Sequence, residues 1–398
     1  MPTARTTVRT QVAIVGAGPA GLMLSHLLAR AGIESVAVDL RARREIEETH
    51  RAGILEQDSV DLLVDSGVSD RVHRDGYRHD GIDLAFGGQT HRIDFQELVG
   101  ASTQLYPQTD VFIDLADARQ RDAGDVRFGV SDVSVDELSG DRPVLRFTDA
   151  EGVAHEVSAD FLVGADGSRS LCRATVPEAE RRQYFREYPF AWFGILAEAP
   201  HSAPELVYSH SPRGFALISQ RTETLQRMYF QCDPTEDVAA WSDDRIWEEL
   251  QGRVGPNGYT LKEGPITSRT VLPFRSFVQE PMHHGRTVLA GDAAHTVPPT
   301  GAKGLNLALA DVRVLAEELE RAVAANDPAR LAVYSKRALG RVWKAQHFSY
   351  WMTTMLHTLP DATPFDVRRQ EGELAAVTGS VAGSTWLAEG YTGWPEGR

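Results

Sequence analysis

The chain alternates between short unbroken apolar runs, of strand length, and stretches whose apolar residues recur at helical spacing. The first such pair stands near the start: residues 11–15 (QVAIV) read as a buried strand and residues 22–32 (LMLSHLLARAG) as a helix, with Gly16, Gly18, Pro19, Ala20 and Gly21 between them. A second apolar run, SVAVD, ends at Asp39. Two later segments repeat the strand-then-glycine arrangement, FLVGADGSRSLCR (161–173) and RTVLAGDAAHTVPPTGAKGLNLA (286–308). Residues 188–268 read instead as short alternating strands, suited to an antiparallel sheet with one covered face. From Gly304 onward the pattern is helical, with 310–325 strongly periodic and 341–359 (RVWKAQHFSYWMTTMLHTL) apolar and aromatic.

These elements predict a mixed α/β fold. A Rossmann-type nucleotide-binding domain is expected from residues 1–80, 105–187 and 269–303, a substrate domain from 81–104 and 188–268, and a helical, dimer-forming region from 304–398. An aromatic helix such as 341–359 is costly to leave in water, which predicts a homodimer interface near it.

The glycine spacing sets the chemistry at the first turn. Gly16 permits the turn, Gly18 lets backbone approach a pyrophosphate, and Gly21 lets helix and strand pack closely, with the phosphates at the helix N-terminus. Asp39 stands where a carboxylate accepts ribose hydroxyls. This unit alone suits NAD or FAD. Asp166, Ser170 and Arg173 form a second motif, DGxxSxxR, and Gly291 and Asp292 a third, followed by a second helix start at Gly304, Leu305 and Asn306.

In SPRGFALISQR (211–221), strand alternation places Ser219 and Arg221 on one face, where a hydroxyl and a guanidinium can clamp a carboxylate, with Tyr229 on the next strand. A surface salt-bridge strand is the plainer alternative.

Charge narrows the partners. A formal net charge of -15 repels nucleic acid and anionic lipid, so an anionic ligand needs a local basic pocket. Two cysteines, Cys172 and Cys232, make no disulfide framework and no metal motif, and the N-terminus reads as neither leader nor membrane span. A cytoplasmic protein without metal, nucleic acid or membrane partners is expected.

The three motifs, in this order and with these separations, resemble the single-component FAD-dependent aromatic hydroxylases, whose FAD domain is glutathione-reductase-like. Further stretches carry the likeness: RAGILEQ (51–57), EYPFAWFG (187–194), SPRGFALISQR and LPFRSFVQEPMHHGR (272–286). The resemblance is strongest to members acting on para-substituted benzoates. It implies non-covalent FAD, dioxygen, a nicotinamide reductant and conversion of 4-hydroxybenzoate to 3,4-dihydroxybenzoate. Two other readings are a hydroxylase of another benzoate, such as 4-aminobenzoate, and a flavin reductase or redox sensor that hydroxylates nothing.

Residue by residue, the resemblance gives Ser219, Arg221 and Tyr229 to the substrate carboxylate and Tyr208, Tyr391 and His79 to a path that removes the phenol proton. It gives Pro299 a carbonyl facing substrate or flavin, and Trp192, Leu206 and Leu217 the apolar walls. Arg51, Gln108 and Asn306 fall near the FAD, and Arg227 is an arginine whose charge favours anionic reduced flavin. For the nicotinamide cofactor it implies Arg51, Arg169 and Arg275. The segment after Asp39 departs from the NADPH-preferring pattern, with Leu40, Glu45 and Thr49, yet Arg41, Arg43 and Arg44 lie there too. A carboxylate repels a 2'-phosphate, so NADH is expected to be preferred and NADPH tolerated.

Overall fold

The apolar run that opens the chain becomes the middle of a parallel sheet. The computed structural model describes residues 6–49, 53–136 and 142–394. Strand Thr6–Val15 lies between Ala154–Gly164 and Ser35–Asp39, and Thr287–Leu289 and Asp125–Phe128 extend the parallel order on either side. Strands buried on both faces read as continuous apolar runs, which is why Val12, Ala13, Ile14, Phe161, Leu162 and Val163 are fully enclosed. The crossover helix Pro19–Arg30 packs on this sheet together with Gln108–Arg121 and Gly304–Ala325.

The second sheet has nine strands. Its spine is the long antiparallel pair Arg182–Glu198 and Ile266–Glu280, continued by Leu225–Cys232, Ala216–Ile218 and Val207–Ser209. The expected antiparallel sheet is in fact mixed. Val207–Ser209 runs parallel to Gly81–Phe86, because residues 81–94 arrive from the other side of the chain and join at the sheet's edge. The segment 188–268 also holds a helix, Asp243–Val254, whose Ser242 cap accepts the Arg245 amide. The single strand read over 211–221 is two strands, Ala216–Ile218 and Gln220–Thr222, broken at Ser219.

Four helices close the chain: Gly304–Ala325, Arg330–Leu356, Pro364–Thr378 and Val381–Thr392. The aromatic helix read over 341–359 therefore starts earlier and ends at Leu356. Its inner face joins the second sheet in one apolar cluster containing Trp192, Leu206, Tyr208, Leu217, Tyr229, Phe348, Met352 and Tyr391. Sheet and terminal helices thus share a core, to which five of the expected substrate residues, Trp192, Leu206, Tyr208, Leu217 and Tyr229, belong.

Candidate active site

At the nucleotide end, backbone hydrogen bonds fix the glycine turn between two strands. The Gly16 amide donates to Val38 O (2.7 Å) and the Ala165 amide to Val15 O (2.7 Å), joining the first motif to the DG motif. Gly16 sits at φ +102°, and a Cβ there would lie 2.2 Å from Ala165 O, so no other residue fits without moving backbone. A Cβ on Gly21 would fall 1.9 Å from Gly16 O. Gly18 is different: nothing lies within 4 Å of its Cβ position, and helix Pro19–Arg30 begins beside it with no side-chain cap and no acidic residue in its first turn. Those first amides are left for an anion. Asp39 is buried, accepts the Ala17 amide (3.1 Å), and is itself held by Arg41 (3.2 Å).

The DG and GD motifs support each other. Asp166 accepts the Ser170 hydroxyl (2.5 Å) and the Leu171 and Cys172 amides (2.7 and 3.1 Å), so its carboxylate organises its own loop. Arg173 reaches across to the carbonyls of Ala293 (2.9 Å) and Asp292 (3.0 Å). Asp311, one of the residues that sequence reasoning missed, receives the Gly291 amide (2.9 Å) and sits 2.6 Å from His295, whose pKa it raises against the opposing effect of complete burial.

Helix Gly304–Ala325 is the second uncapped start, with open space around Gly304. The Asn306 side chain is already occupied: it accepts the Glu56 amide (2.9 Å) and donates to Ile54 O (2.8 Å) and Ala302 O (2.9 Å). It therefore braces this helix start, whose first amides have no side-chain cap. Beside it lies a buried ion pair the sequence reading did not find. Lys303 donates to Glu56 (2.6 Å) and to the Tyr391 carbonyl (2.9 Å), and Arg341 reaches the same carboxylate (3.1 Å). The only sequence signal was a charged residue inside each of two apolar stretches, GILEQ and GAKGLNLA.

At the substrate end, the structure joins Tyr208 to Tyr391 and sets Arg221 near Tyr229, while the Ser219 hydroxyl donates to the Gln220 carbonyl (3.3 Å). The hydroxyls of Tyr208 and Tyr391 are 2.7 Å apart, both residues are buried, and burial pushes both phenols up. The Tyr208 hydroxyl also donates to the Thr300 carbonyl (3.3 Å), whereas the neighbouring Pro299 carbonyl receives the Ala302 amide. Arg221 is lowered by burial and by the nearby Arg227 charge, and its other electrostatic neighbours are Asp110 and Tyr229. Tyr229 packs at a tilt against Trp192, ring centres 4.7 Å apart. Arg227 lies 5.3 Å from the Tyr229 ring centre, and its Nη1 is buried with no protein partner. Gln108 opens helix Gln108–Arg121.

Two further histidines, His79 and His357, are buried in this region. His79, expected to join the tyrosine pair, is 1 % exposed and hydrogen-bonded to Gln220 (2.9 Å); among the described residues no hydrogen bond joins it to Tyr391. His357 was not singled out from the sequence. It accepts the Trp192 indole N–H (2.7 Å), and its Nδ1 meets Thr353 O (2.9 Å). Burial lowers it to about 3, so it stays a neutral acceptor that holds the Trp192 wall.

The residues expected to meet a nicotinamide cofactor are spread more widely. Arg169 and Arg275 are exposed, Arg275 close enough to Arg173 to repel it. Arg41 is tied to Asp39, Arg43 to Glu47 and Asp117, and Arg44 to Glu48 (2.7 Å). Arg51 lies outside the described residues.

Two uncapped helix starts, the open flank of Gly18 and the orphaned Nη1 of Arg227 fit FAD as a long, phosphate-bearing group. Comparison with known proteins agrees. The family described as FAD binding domain matches residues 9–349. A p-hydroxybenzoate hydroxylase of Acinetobacter baylyi is 44 % identical over 392 residues, covering 98 % of this chain and 96 % of the relative. A 3-(3-hydroxy-phenyl)propionate/3-hydroxycinnamic acid hydroxylase of Burkholderia vietnamiensis is 28 % identical over 337 residues, 82 % of this chain and 59 % of that one. The structure of a p-nitrophenol 4-monooxygenase from Pseudomonas putida shares the fold, with a TM-score of 0.79 at 18 % identity over 98 % of this chain and 99 % of its own. With a family match over most of its length and that identity to a hydroxylase across nearly the whole of both chains, this chain belongs to the flavin-dependent aromatic hydroxylases, using FAD and dioxygen on a small aromatic substrate.

Proposed function

We propose that the chain hydroxylates 4-hydroxybenzoate at the carbon ortho to its phenol, giving 3,4-dihydroxybenzoate. One oxygen atom of dioxygen enters the ring, the other leaves as water, and the nicotinamide cofactor supplies two electrons. The observation that carries the reading is the buried 2.7 Å contact between the Tyr208 and Tyr391 hydroxyls, in the same apolar cluster as Tyr229 and Trp192. A phenol placed against Tyr208 hydrogen-bonds to that pair, and relay of its proton through the two hydroxyls to solvent enriches the ring for electrophilic oxygen transfer. At the other end Arg221, with Ser219 and Tyr229, takes the carboxylate; a guanidinium gives it two parallel hydrogen bonds. Bound FAD supplies the activated oxygen. Trp192, Leu206 and Leu217, all buried, keep water from it. The activity printed for the Acinetobacter relative supports the same substrate.

NADH as preferred reductant is part of this reading. Leu40 is exposed and offers no donor, Glu45 caps the following short helix by accepting the Ala42 amide (2.8 Å), and each nearby arginine already has a carboxylate. A 2'-phosphate would have to displace those partners. Initial rates with NADH and NADPH check this, and a large NADPH advantage would overturn it. A cytoplasmic homodimer completes the reading, supported by the outward Trp343, Tyr350, Phe365 and Trp386 on the terminal helices. No described helix is long and apolar enough to cross a membrane.

The substrate assignment is tested with benzoate, 4-aminobenzoate and 4-hydroxybenzoate, scored as hydroxylated product per NADH consumed. Tight coupling with 4-hydroxybenzoate is expected. Better coupling with the amine would reassign the substrate, and peroxide with all three would remove hydroxylation of these benzoates.

A further inference from the structure

Gln220 stands between the two residues assigned to the substrate carboxylate, yet its side chain turns the other way. It is 4 % exposed, and its Nε2 lies 3.0 Å from the Pro204 carbonyl and 2.9 Å from Nε2 of His79. A carbonyl only accepts, so the contact to Pro204 fixes which end of the amide is nitrogen. The second N–H of that nitrogen then points at His79 Nε2, which must be the unprotonated, accepting nitrogen. The ring proton is thereby placed on Nδ1, which is buried and has no partner within the protein.

A protonated imidazole carries N–H groups on both nitrogens. In this arrangement the new N–H on Nε2 would face the N–H of Gln220, donor against donor. We propose that Gln220 is a positioning residue for the reaction, whose amide decides whether His79 can take a proton: with nitrogen toward His79 the ring is held neutral, and with the amide turned over, oxygen toward Nε2, the ring accepts one. Turning the amide gives up the bond to the Pro204 carbonyl and lets the amide oxygen accept from a protonated Nε2 of His79. The short strand Gln220–Thr222 also carries Arg221, so a carboxylate drawn to Arg221 pulls on the backbone that bears Gln220.

The other groups facing His79 do not supply this control. Burial is the largest influence and, with Arg92 and His201, lowers the ring to about 4; Asp80 alone opposes them. Arg92 is itself paired with Glu205 and Asp83. None of these groups is hydrogen-bonded to the ring.

The inference rests on the proposed proton path only for its catalytic meaning, and two readouts separate the claims. The first is the His79 titration in the FAD-loaded protein, followed by imidazole NMR, with His79→Gln assigning the signal. Gln220→Glu, which accepts from Nε2, is expected to raise the midpoint by about one pH unit or more, with Gln220→Met between it and the parent. Equal midpoints in all three proteins would overturn the proposal, as would an Nδ1-unprotonated ring in the parent. The second readout is the pH profile of 4-hydroxybenzoate hydroxylation, which is expected to move with the midpoint in Gln220→Glu. A moved titration with an unmoved profile supports the control of His79 by Gln220 and rejects His79 as part of the proton path.

Discussion

Tyr208 has its hydroxyl between two oxygens, that of Tyr391 at 2.7 Å and the Thr300 carbonyl at 3.3 Å, inside an apolar cluster whose burial pushes its phenol up. A buried phenol so held serves as a hydrogen-bond relay for a second phenol. Tyr208→Phe is therefore expected to lower hydroxylation by about 100-fold or more while NADH consumption continues and yields peroxide. Equal loss of both activities would mean the residue is needed for folding or FAD binding instead. Arg221→Lys keeps the charge and loses the planar fork, and KM for the aromatic acid is expected to rise by roughly tenfold or more, with FAD retained. Trp192 depends on His357 for its single polar bond. His357→Leu leaves the indole N–H buried and unpaired, a loss of about 1–3 kcal/mol that urea unfolding reads directly.

At the scale of elements, function sits where helices start and strands end. The glycine turn at Gly16–Gly21 was legible because each glycine answers to a local constraint, and periodicity marked the helix behind it. The terminal helices were legible for the same reason. The sheet over the substrate was read as wholly antiparallel, because alternation reports which face of a strand is covered and is silent on which strand lies beside it; Gly81–Phe86 joins Val207–Ser209 from more than a hundred residues away. The site divides along the same line. Tyr208 and Tyr391 were singled out through whole-chain likeness and Arg221 through strand alternation as well, while Glu56, Lys303, Gln220 and His357 carry no local pattern that separates a buried polar side chain from a solvated one. The Glu56–Lys303 pair fastens the helix start at Gly304 to the last helix through Tyr391 O. Lys303→Met is expected to loosen that joint, weakening FAD retention on dilution and lowering the melting temperature. Unchanged values for both would mean Arg341 alone suffices to hold Glu56.

For the whole molecule, the buried histidines set a pH limit. His79 titrates near 6.5 when unfolded and is lowered to about 4 by burial, so between these values the unfolded chain binds a proton that the folded one refuses. Stability must fall as pH drops through that window, by about 3 kcal/mol for this residue at its lower end. His357 acts in the same direction to about 3. His295, raised beside Asp311, has the opposite sign: its contribution is complete below 6.5 and is lost as pH rises through its folded value. Melting temperatures recorded from neutral pH down are expected to fall across the window, with a shallower slope in His79→Gln. At neutral pH, light scattering is expected to give twice the chain mass, and charged replacements of Phe365 and Trp386 to reduce it.

The most direct measurement is isotopic. The FAD-loaded protein is supplied with 4-hydroxybenzoate, NADH and labelled dioxygen, and the product is identified by mass. The expected product is 3,4-dihydroxybenzoate carrying a single labelled oxygen, formed in step with NADH consumption. NADH oxidised to peroxide with the aromatic acid recovered unchanged would contradict the proposed hydroxylation of this substrate.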